Sequence, residues 1–133
     1  MSIVSDETSP GQSCAEIKAE ADNFPYSCNE NRRPIATLVA LSKGYVLLLP
    51  DYEGPKSGFT VGTLAATGVL DGLRAGLQVS SVIPDPDKAI VALYGYSGGS
   101  LASGWAVQQQ PVYAPELKIA GAVLGGHIIN IKQ

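Results

Sequence analysis

Three short runs of apolar residues stand out along the chain, at residues 45–49, 89–94 and 119–124. Glycine, proline or lysine borders each run, and no run contains a charge or a proline. Uninterrupted apolar runs of this length are typical of strands that are buried on both faces of a parallel sheet. We therefore predict three buried parallel strands at these positions.

Segments with helical character alternate with these runs and cover residues 35–42, 60–78 and 98–110. In the second segment, small and apolar residues recur every three to four positions and predict its buried face. They are Val61, Leu64, Ala65, Gly68, Gly72 and Ala75. Strands that alternate with helices imply right-handed crossovers and a parallel sheet, so the pattern predicts an α/β fold.

Residues 1–34 are polar and contain turn signals, and we predict that they form an irregular N-terminal lead-in. One α/β domain is then expected over residues 35–133. Cys14 and Cys28 both lie in the lead-in and could form one disulfide or stay as free thiols, so they do not identify the redox compartment. The first residues lack the basic and apolar regions of a signal peptide, and none is expected in the chain as given.

The composition narrows the class of protein. Of the 133 residues, 45% are hydrophobic and 16% are charged, which excludes a disordered chain. The net charge is −3 and the basic residues are scattered, so neither nucleic acid nor an anionic membrane surface is an expected partner. No apolar run approaches the roughly 20 residues of a membrane-spanning helix.

The motif Gly95-Tyr96-Ser97-Gly98-Gly99 lies directly after the second predicted strand and directly before the third predicted helix. This is the setting of a nucleophile elbow, in which a serine occupies a sharp turn and glycines remove clashing side chains. The helix N-terminus favours negative charge there, and the N–H of Gly98 is a candidate oxyanion donor. A glycine-rich turn can also bind phosphate, but the spacing matches neither the Rossmann nor the P-loop pattern.

A second candidate element follows the first predicted strand. Asp51 begins a loop there, at the place from which hydrolases with this kind of elbow supply a second oxyanion N–H. The alternative is an ordinary acidic turn in which Gly54 and Pro55 make the bend. Lys56 and Arg74 are interpreted as solvated charges, with Arg74 able to pair with Asp71 on the helix surface.

Six sequence pieces together resemble the fungal secretory lipase family. They are Gly44-Tyr45-Val46, Asp51-Tyr52-Glu53-Gly54, Leu70-Asp71-Gly72-Leu73-Arg74-Ala75, the elbow at 95–99, Tyr113-Ala114-Pro115-Glu116-Leu117, and Gly125-Gly126. The resemblance covers about two-thirds of the chain. It implies a partial α/β-hydrolase fold with three layers and a mostly parallel sheet.

The resemblance also implies an activity, the hydrolysis of carboxylic esters, with triacylglycerols as the best-known substrates. Ser97 then matches the nucleophile, and the N–H groups of Asp51 and Gly98 match the oxyanion hole. Secretion is implied, and no cofactor or metal is expected. Two alternatives stay open: an esterase that deacetylates fungal secondary metabolites of the trichothecene type, and a non-catalytic remnant or small binding protein.

The chain departs from the family after the elbow. In the triad order Ser…Asp…His both partners follow the serine, yet no Asp follows Ser97 and Glu116 is the only later carboxylate side chain. His127 is the only histidine, and the family has no catalytic histidine there, so we interpret it as a surface or capping residue rather than the base. We therefore expect a truncated member that is weakly active or inactive and self-associates through exposed sheet edges.

Overall fold

The computed structural model describes residues 2–4, 35–54, 58 and 60–126. The strands in this part are β1 (Ser2–Val4), β2 (Val91–Tyr96) and β3 (Ile119–Gly125). The α-helices are α1 (Ile35–Ser42), α2 (Gly62–Leu77) and α3 (Gly98–Tyr113), and a 3₁₀ turn covers Pro86–Lys88. The strands form one parallel sheet in the order β1-β2-β3, which confirms the predicted α/β class with its parallel sheet.

The strand predicted over residues 45–49 is wrong. Only Leu48 forms a single bridge there, and the side chains of Tyr45 and Leu49 are 52% and 56% exposed. The position beside β2 belongs to β1, which pairs with residues 93–95 of that strand. An apolar run bounded by glycine and proline indicates that a segment packs, but it does not identify the strand with which it pairs.

The strand β1 lies within the N-terminal segment that the sequence predicts to be irregular. Three residues of that segment therefore extend the sheet, because they pair in parallel with the middle of β2. Residues 5–34, including Cys14 and Cys28, lie outside the described residues. The division of the chain at residue 34 stays a prediction.

The extended segment from residue 48 to residue 52 packs against a row of glycines on α2. A Cβ atom added to any of these glycines would lie 2.9 Å from the residue that faces it. The facing pairs are Leu48 with Gly76, Pro50 with Gly72, and Tyr52 with Gly68. Two residues of an extended chain span about 6.6 Å, and four residues of a helix span about 6 Å. Because these lengths nearly match, every second residue of the extended segment meets every fourth residue of the helix.

Two helices end differently from the prediction. The helix α2 begins at Gly62 and not at residue 60, because Thr60 has a φ of 65°, which is outside the helical region. The helix α3 continues through Pro111 to Tyr113 instead of ending at Gln110. Pro111 lies in the last turn, where its missing N–H removes only one helical hydrogen bond.

The side chain of Gln110 stabilises this last turn. Its Nε2 donates hydrogen bonds of 3.0 Å to the backbone carbonyl oxygens of Ala114 and Leu117. The backbone carbonyl of Gln110 accepts the N–H of Ala114 at 2.9 Å. These contacts satisfy carbonyl groups beyond the helix end, so the chain turns directly toward β3.

The core lies between β2, α2 and α3, and α3 packs against all three strands. On α2 the buried residues are Gly62, Ala65, Ala66, Val69, Leu70 and Leu73. The predicted face of α2 is therefore wrong in part, since Val61, Leu64 and Ala75 are exposed. The helix is contacted on two sides, by the core and by the 48–52 segment, so no single narrow stripe describes its buried surface.

Burial on both faces of every strand is not observed. In β2, Val91, Leu93 and Gly95 are buried, while Ala92 and Tyr94 are only half-buried. In β3 the residues from 120 to 124 are all exposed. Among the described residues, the helices cover β2 well and β3 poorly, because β3 lies at the edge of the sheet.

Candidate functional site

The backbone at Ser97 forms a sharp turn between β2 and α3. Its φ of 53° and ψ of −118° lie in a region that residues with a side chain rarely adopt. Holding a residue in such a conformation costs about 1–3 kcal/mol and persists only where the surrounding structure enforces it. The predicted turn between a strand and a helix is therefore present at Ser97.

Position 95 requires glycine because the first turn of α3 lies very close to it. A Cβ atom at Gly95 would contact the carbonyl of Gly99 and would lie 2.6 Å from the backbone nitrogen of Ser100. Both obstacles are backbone atoms of α3 and cannot rotate away. Gly98 and Gly99 form the first two positions of α3 and are buried.

Two sets of backbone hydrogen bonds hold Ser97 in place. Its N–H donates to the carbonyl of Gly125 at 2.9 Å, which ties the turn to the end of β3. Its carbonyl accepts the N–H groups of Ser100 and Leu101 at 3.0 and 3.1 Å, and the Ser100 hydroxyl at 2.7 Å. The Ser97 hydroxyl makes no capping hydrogen bond to α3. The helix is thus anchored by the backbone of Ser97 and not by its side chain.

The positive end of the α3 dipole lies at this turn. The helix has 16 residues, and its first turn contains no acidic side chain that would offset the partial positive charge. Tyr96, the neighbour of Ser97, is 63% exposed, and its ring lies close to Gly125 and Gly126. Gly126 has a φ of +56°, so the chain turns sharply where β3 ends.

The loop that begins at Asp51, the second candidate element, combines one exposed residue with two buried ones. Asp51 is exposed, whereas Tyr52 and Glu53 are 7% and 3% exposed. Tyr52 belongs to the same core cluster as Leu93 and Ala102, which flank the elbow on β2 and α3. Packing of Tyr52 therefore anchors the backbone next to Asp51, while the oxyanion role of the Asp51 and Gly98 N–H groups stays a prediction.

Arg74 remains a surface charge, with its side chain 32% exposed, but several partners hold it. Its Nε donates to Glu116 Oε1 at 2.6 Å, its Nη1 donates to Asp71 Oδ1 at 2.8 Å, and its Nη2 donates to the carbonyl of Tyr113 at 2.8 Å. The guanidinium also stacks on the Tyr113 ring, whose hydroxyl donates to Asp71 Oδ2 at 2.9 Å. The predicted Asp71–Arg74 pair is present, and it belongs to a larger cluster.

These contacts shift the pKa values of the cluster in the directions that favour the ion pairs. The hydrogen bond from Arg74 lowers the pKa of Glu116, and the hydrogen bonds to Glu116 and Asp71 raise the pKa of Arg74. The hydrogen bond to Asp71 raises the pKa of Tyr113. Glu116, the only carboxylate side chain after Ser97, is thus engaged in holding two elements together.

His127 lies outside the described residues, as does Lys56, so the interpretation of His127 as a non-catalytic residue stays a prediction. In the described part of the chain, no helix is long and apolar enough to cross a membrane.

Sequence reasoning missed two features of the structure. The Arg74–Glu116 pair joins residues 42 positions apart, and only the joint presence of two family-like pieces hinted at a contact. The glycines at 68, 72 and 76 were the visible sign that α2 is approached closely, since three glycines spaced by four lie on one face of a helix.

Comparison with known proteins agrees with the fold. The family model of the secretory lipases matches residues 33–133. The structure of Candida antarctica lipase A in its closed state superposes with a TM-score of 0.70 at 30% sequence identity, over 94% of this chain and 30% of that one. The partial α/β-hydrolase fold that the resemblance implied is therefore confirmed.

Named relatives point the same way. Lipase 1 of Candida albicans is 44% identical over 128 residues, which is 94% of this chain and 27% of the relative. A secreted triacylglycerol lipase of Malassezia restricta is 43% identical over 91 residues, covering 68% of this chain and 19% of the relative. The chain thus spans about a quarter or less of these relatives' length. The match of the family model over most of its residues shows that the chain belongs to the secretory lipase family.

Proposed function

We propose that this chain carries the nucleophile half of a carboxylic ester hydrolase, with Ser97 as the nucleophile. The observation that carries the proposal is the backbone of Ser97, strained between β2 and α3 and anchored without use of its hydroxyl. A serine held at a helix N-terminus in this way is suited to attack at a carbonyl group.

The chemistry follows from the groups around Ser97. The Ser97 Oγ attacks the ester carbonyl carbon, its proton passes to a base, and the carbonyl oxygen becomes negatively charged. The N–H groups of Asp51 and Gly98 are proposed to bind that oxygen, with help from the dipole of α3. The alkoxide then leaves with the proton, and water releases the acyl group as an acid. Glu116 is not proposed as a triad member, because Arg74 engages its carboxylate.

The substrate class and location are proposed from the relatives. Related proteins are named as lipases, and one is named as a secreted triacylglycerol lipase, so lipid esters and secretion are proposed for the protein to which this sequence belongs. Neither the trichothecene-type esterase nor the non-catalytic alternative receives support from those names.

Reaction with a fluorophosphonate tests the nucleophile without requiring turnover. The Ser97 Oγ forms a bond to phosphorus, the P–F bond breaks, fluoride leaves and the hydroxyl proton passes to solvent. Intact-mass measurement over hours, followed by peptide mapping, is expected to find one adduct, on Ser97. The Ser97→Ala variant should lose it, whereas Ser103→Ala, at a fully buried serine of the same helix, should keep it.

Two results would contradict the proposal. One is an adduct that persists in Ser97→Ala at the rate of the unchanged chain, and the other is the absence of any adduct. Turnover of p-nitrophenyl esters is expected to be weak or absent. A serine-dependent kcat of about 1 s⁻¹ or more, within the ordinary range of enzymes, would show that His127 or another group acts as an efficient base.

Self-association is proposed as a second property of this chain. The strand β3 lies at one edge of the sheet in the described part, with its neighbour β2 on one side. Val123 and Leu124 are 62% and 38% exposed, and β3 contains neither a charge nor a proline that would discourage pairing. A second copy that pairs along β3 would cover this apolar surface.

A further inference from the structure

The close approach between Gly68 and the chain beside Asp51 differs from the other contacts in the glycine row of α2. A Cβ atom at Gly68 would lie 2.9 Å from Tyr52 Cα, 3.4 Å from the Tyr52 carbonyl oxygen and 3.5 Å from the Asp51 carbonyl oxygen. All three are backbone atoms. A side chain at position 68 would therefore displace the main chain itself.

At the other two glycines of the row, Gly72 and Gly76, an added Cβ atom would meet side chains. A Cβ atom at Gly72 would lie 2.9 Å from the Cβ of Pro50, whose ring is rigid. One at Gly76 would lie 2.9 Å from Cδ1 of Leu48, the end of a side chain that can rotate. The same added methyl group thus meets backbone, a rigid ring or a flexible side chain, depending on its place along one helix.

Tyr52 cannot move away without cost. It is 7% exposed and packs in the core cluster that also contains Val69 of α2 and Ala102 of α3. Because interiors are densely packed, a displacement at Tyr52 shifts the neighbouring backbone of Asp51 rather than being absorbed.

We propose that Gly68 is a positioning residue: because it has no side chain, α2 holds the backbone of Asp51 and Tyr52 at the depth that places the Asp51 N–H in the oxyanion hole. The inference rests on the proposed function, since it assigns the Asp51 N–H to the same reaction centre as Ser97. Gly68 itself touches neither substrate nor reacting atoms and acts through Asp51.

A graded series of substitutions tests this proposal. Gly68→Ala, Gly72→Ala and Gly76→Ala make the same change on the same helix, and each gains the higher helix propensity of alanine. The rate of fluorophosphonate labelling at saturation is expected to fall about 10- to 100-fold in Gly68→Ala, because misplacement of about 1 Å or loss of a donor has effects of this size. The labelling rate should fall less in Gly72→Ala, and Gly76→Ala should label at the rate of the unchanged chain.

The concentration for half-maximal labelling separates positioning from unfolding. An oxyanion donor acts mainly in the transition state, so this concentration should stay nearly constant while the saturating rate falls. Thermal unfolding identifies any variant that does not fold. If Gly68→Ala does not fold, the comparison of Gly72→Ala with Gly76→Ala decides, and equal rates there overturn the inference.

The outcomes for the two proposals are distinct. Labelling of the folded Gly68→Ala variant at the rate of Gly76→Ala overturns the positioning role alone and leaves Ser97 as the nucleophile. Absence of serine-dependent labelling in the unchanged chain overturns the proposed function and the positioning role with it.

Discussion

Ser97 illustrates how a strained residue is stabilised by its neighbours. Its N–H binds Gly125, its carbonyl binds the first turn of α3, and Gly95 leaves the space that this geometry needs. Each of these contacts involves the backbone of Ser97, and none uses its hydroxyl. The strain is thus compensated without use of the serine side chain.

The requirement for glycine at position 95 leads to a stability prediction. Gly95→Ala would force the new methyl group against Gly99 and Ser100, and overpacking of this kind costs about 1–3 kcal/mol. Urea unfolding should therefore give a lower midpoint. The control is Gly121→Ala in β3, where a Cβ atom would meet nothing within 4 Å, and its stability should not fall. Equal midpoints for the two variants would be inconsistent with the elbow geometry.

At this scale, the sequence predicts the elbow but not the partners of the serine. The order strand, GYSGG, helix suffices for the turn, because few other backbone paths join the two elements there. The hydrogen bond to Gly125 depends on the register between β2 and β3, which includes a shift between Val91 and Ala92. No local pattern in either strand encodes that shift.

Arg74 connects elements that are distant in sequence. It lies near the end of α2, while Tyr113 is the last residue of α3 and Glu116 lies beyond it. Arginine suits this role because its guanidinium presents several donors in one plane and stacks on an aromatic ring. The cluster fixes how α2 and α3 approach each other at the ends that lie away from Ser97.

The pKa of Glu116 gives this cluster a pH dependence. The folded pKa lies below the ordinary value of 4.5, so the contribution of Glu116 to stability is present above pH 4.5 and is lost as the pH falls through the folded pKa. Glu116→Gln should therefore lower the unfolding temperature at pH 7, and the difference from the unchanged chain should shrink below pH 4.5.

Asp85→Asn provides the control for this measurement. Asp85 pairs with Lys88 at 2.7 Å. The Asp85 and Glu116 side chains are similarly exposed, at 47% and 54%, but Lys88 is 86% exposed whereas Arg74 is 32% exposed, and pairs between fully exposed charges contribute little. The variant should unfold almost like the unchanged chain at both pH values. An effect of Glu116→Gln as small as that of Asp85→Asn, or one that does not change with pH, would argue against a stabilising cluster.

Elements with strong periodicity are predicted well, and elements defined by their partners are not. The helix over Ile35–Ser42 matches the prediction. The observed ends of α2, β2 and β3 lie within two residues of their predicted ends. Residues 45–49 have the composition of a strand, yet the paired neighbour of β2 comes from residues 2–4. Strand propensity describes which conformations a segment can adopt, whereas strand pairing is decided by contacts with residues far away in the sequence.

At the scale of the molecule, the described residues cover the sheet unevenly. Its centre packs under α3, whereas the exposed residues of β3 form an apolar edge. Uninterrupted apolar edges favour pairing with further strands, and natural sheets commonly place a charge there to prevent it. The solution behaviour of this chain should therefore depend on β3.

A single lysine in β3 tests the proposed self-association. Val123→Lys places a charge on a side chain that is already 62% exposed, so it should disturb the core little while discouraging pairing between copies. Light scattering is expected to show a lower mean mass for the variant at equal concentration. A monodisperse monomer for the unchanged chain would refute edge pairing, and Val112→Lys on α3, at 89% exposure, controls for added charge alone.

The match between the 48–52 segment and α2 restricts how the chain can change in length. One residue inserted between Gly68 and Gly76 would rotate the following part of the helix by about 100° and turn a larger side chain toward Pro50 or Leu48. One residue inserted in the extended segment would turn toward α2 the side chains that now point away from it, because successive side chains of an extended chain point to opposite sides. Compensated changes need two residues on the extended side for every four on the helix. Among related sequences, insertions should therefore gather between residues 53 and 61, outside the glycine row.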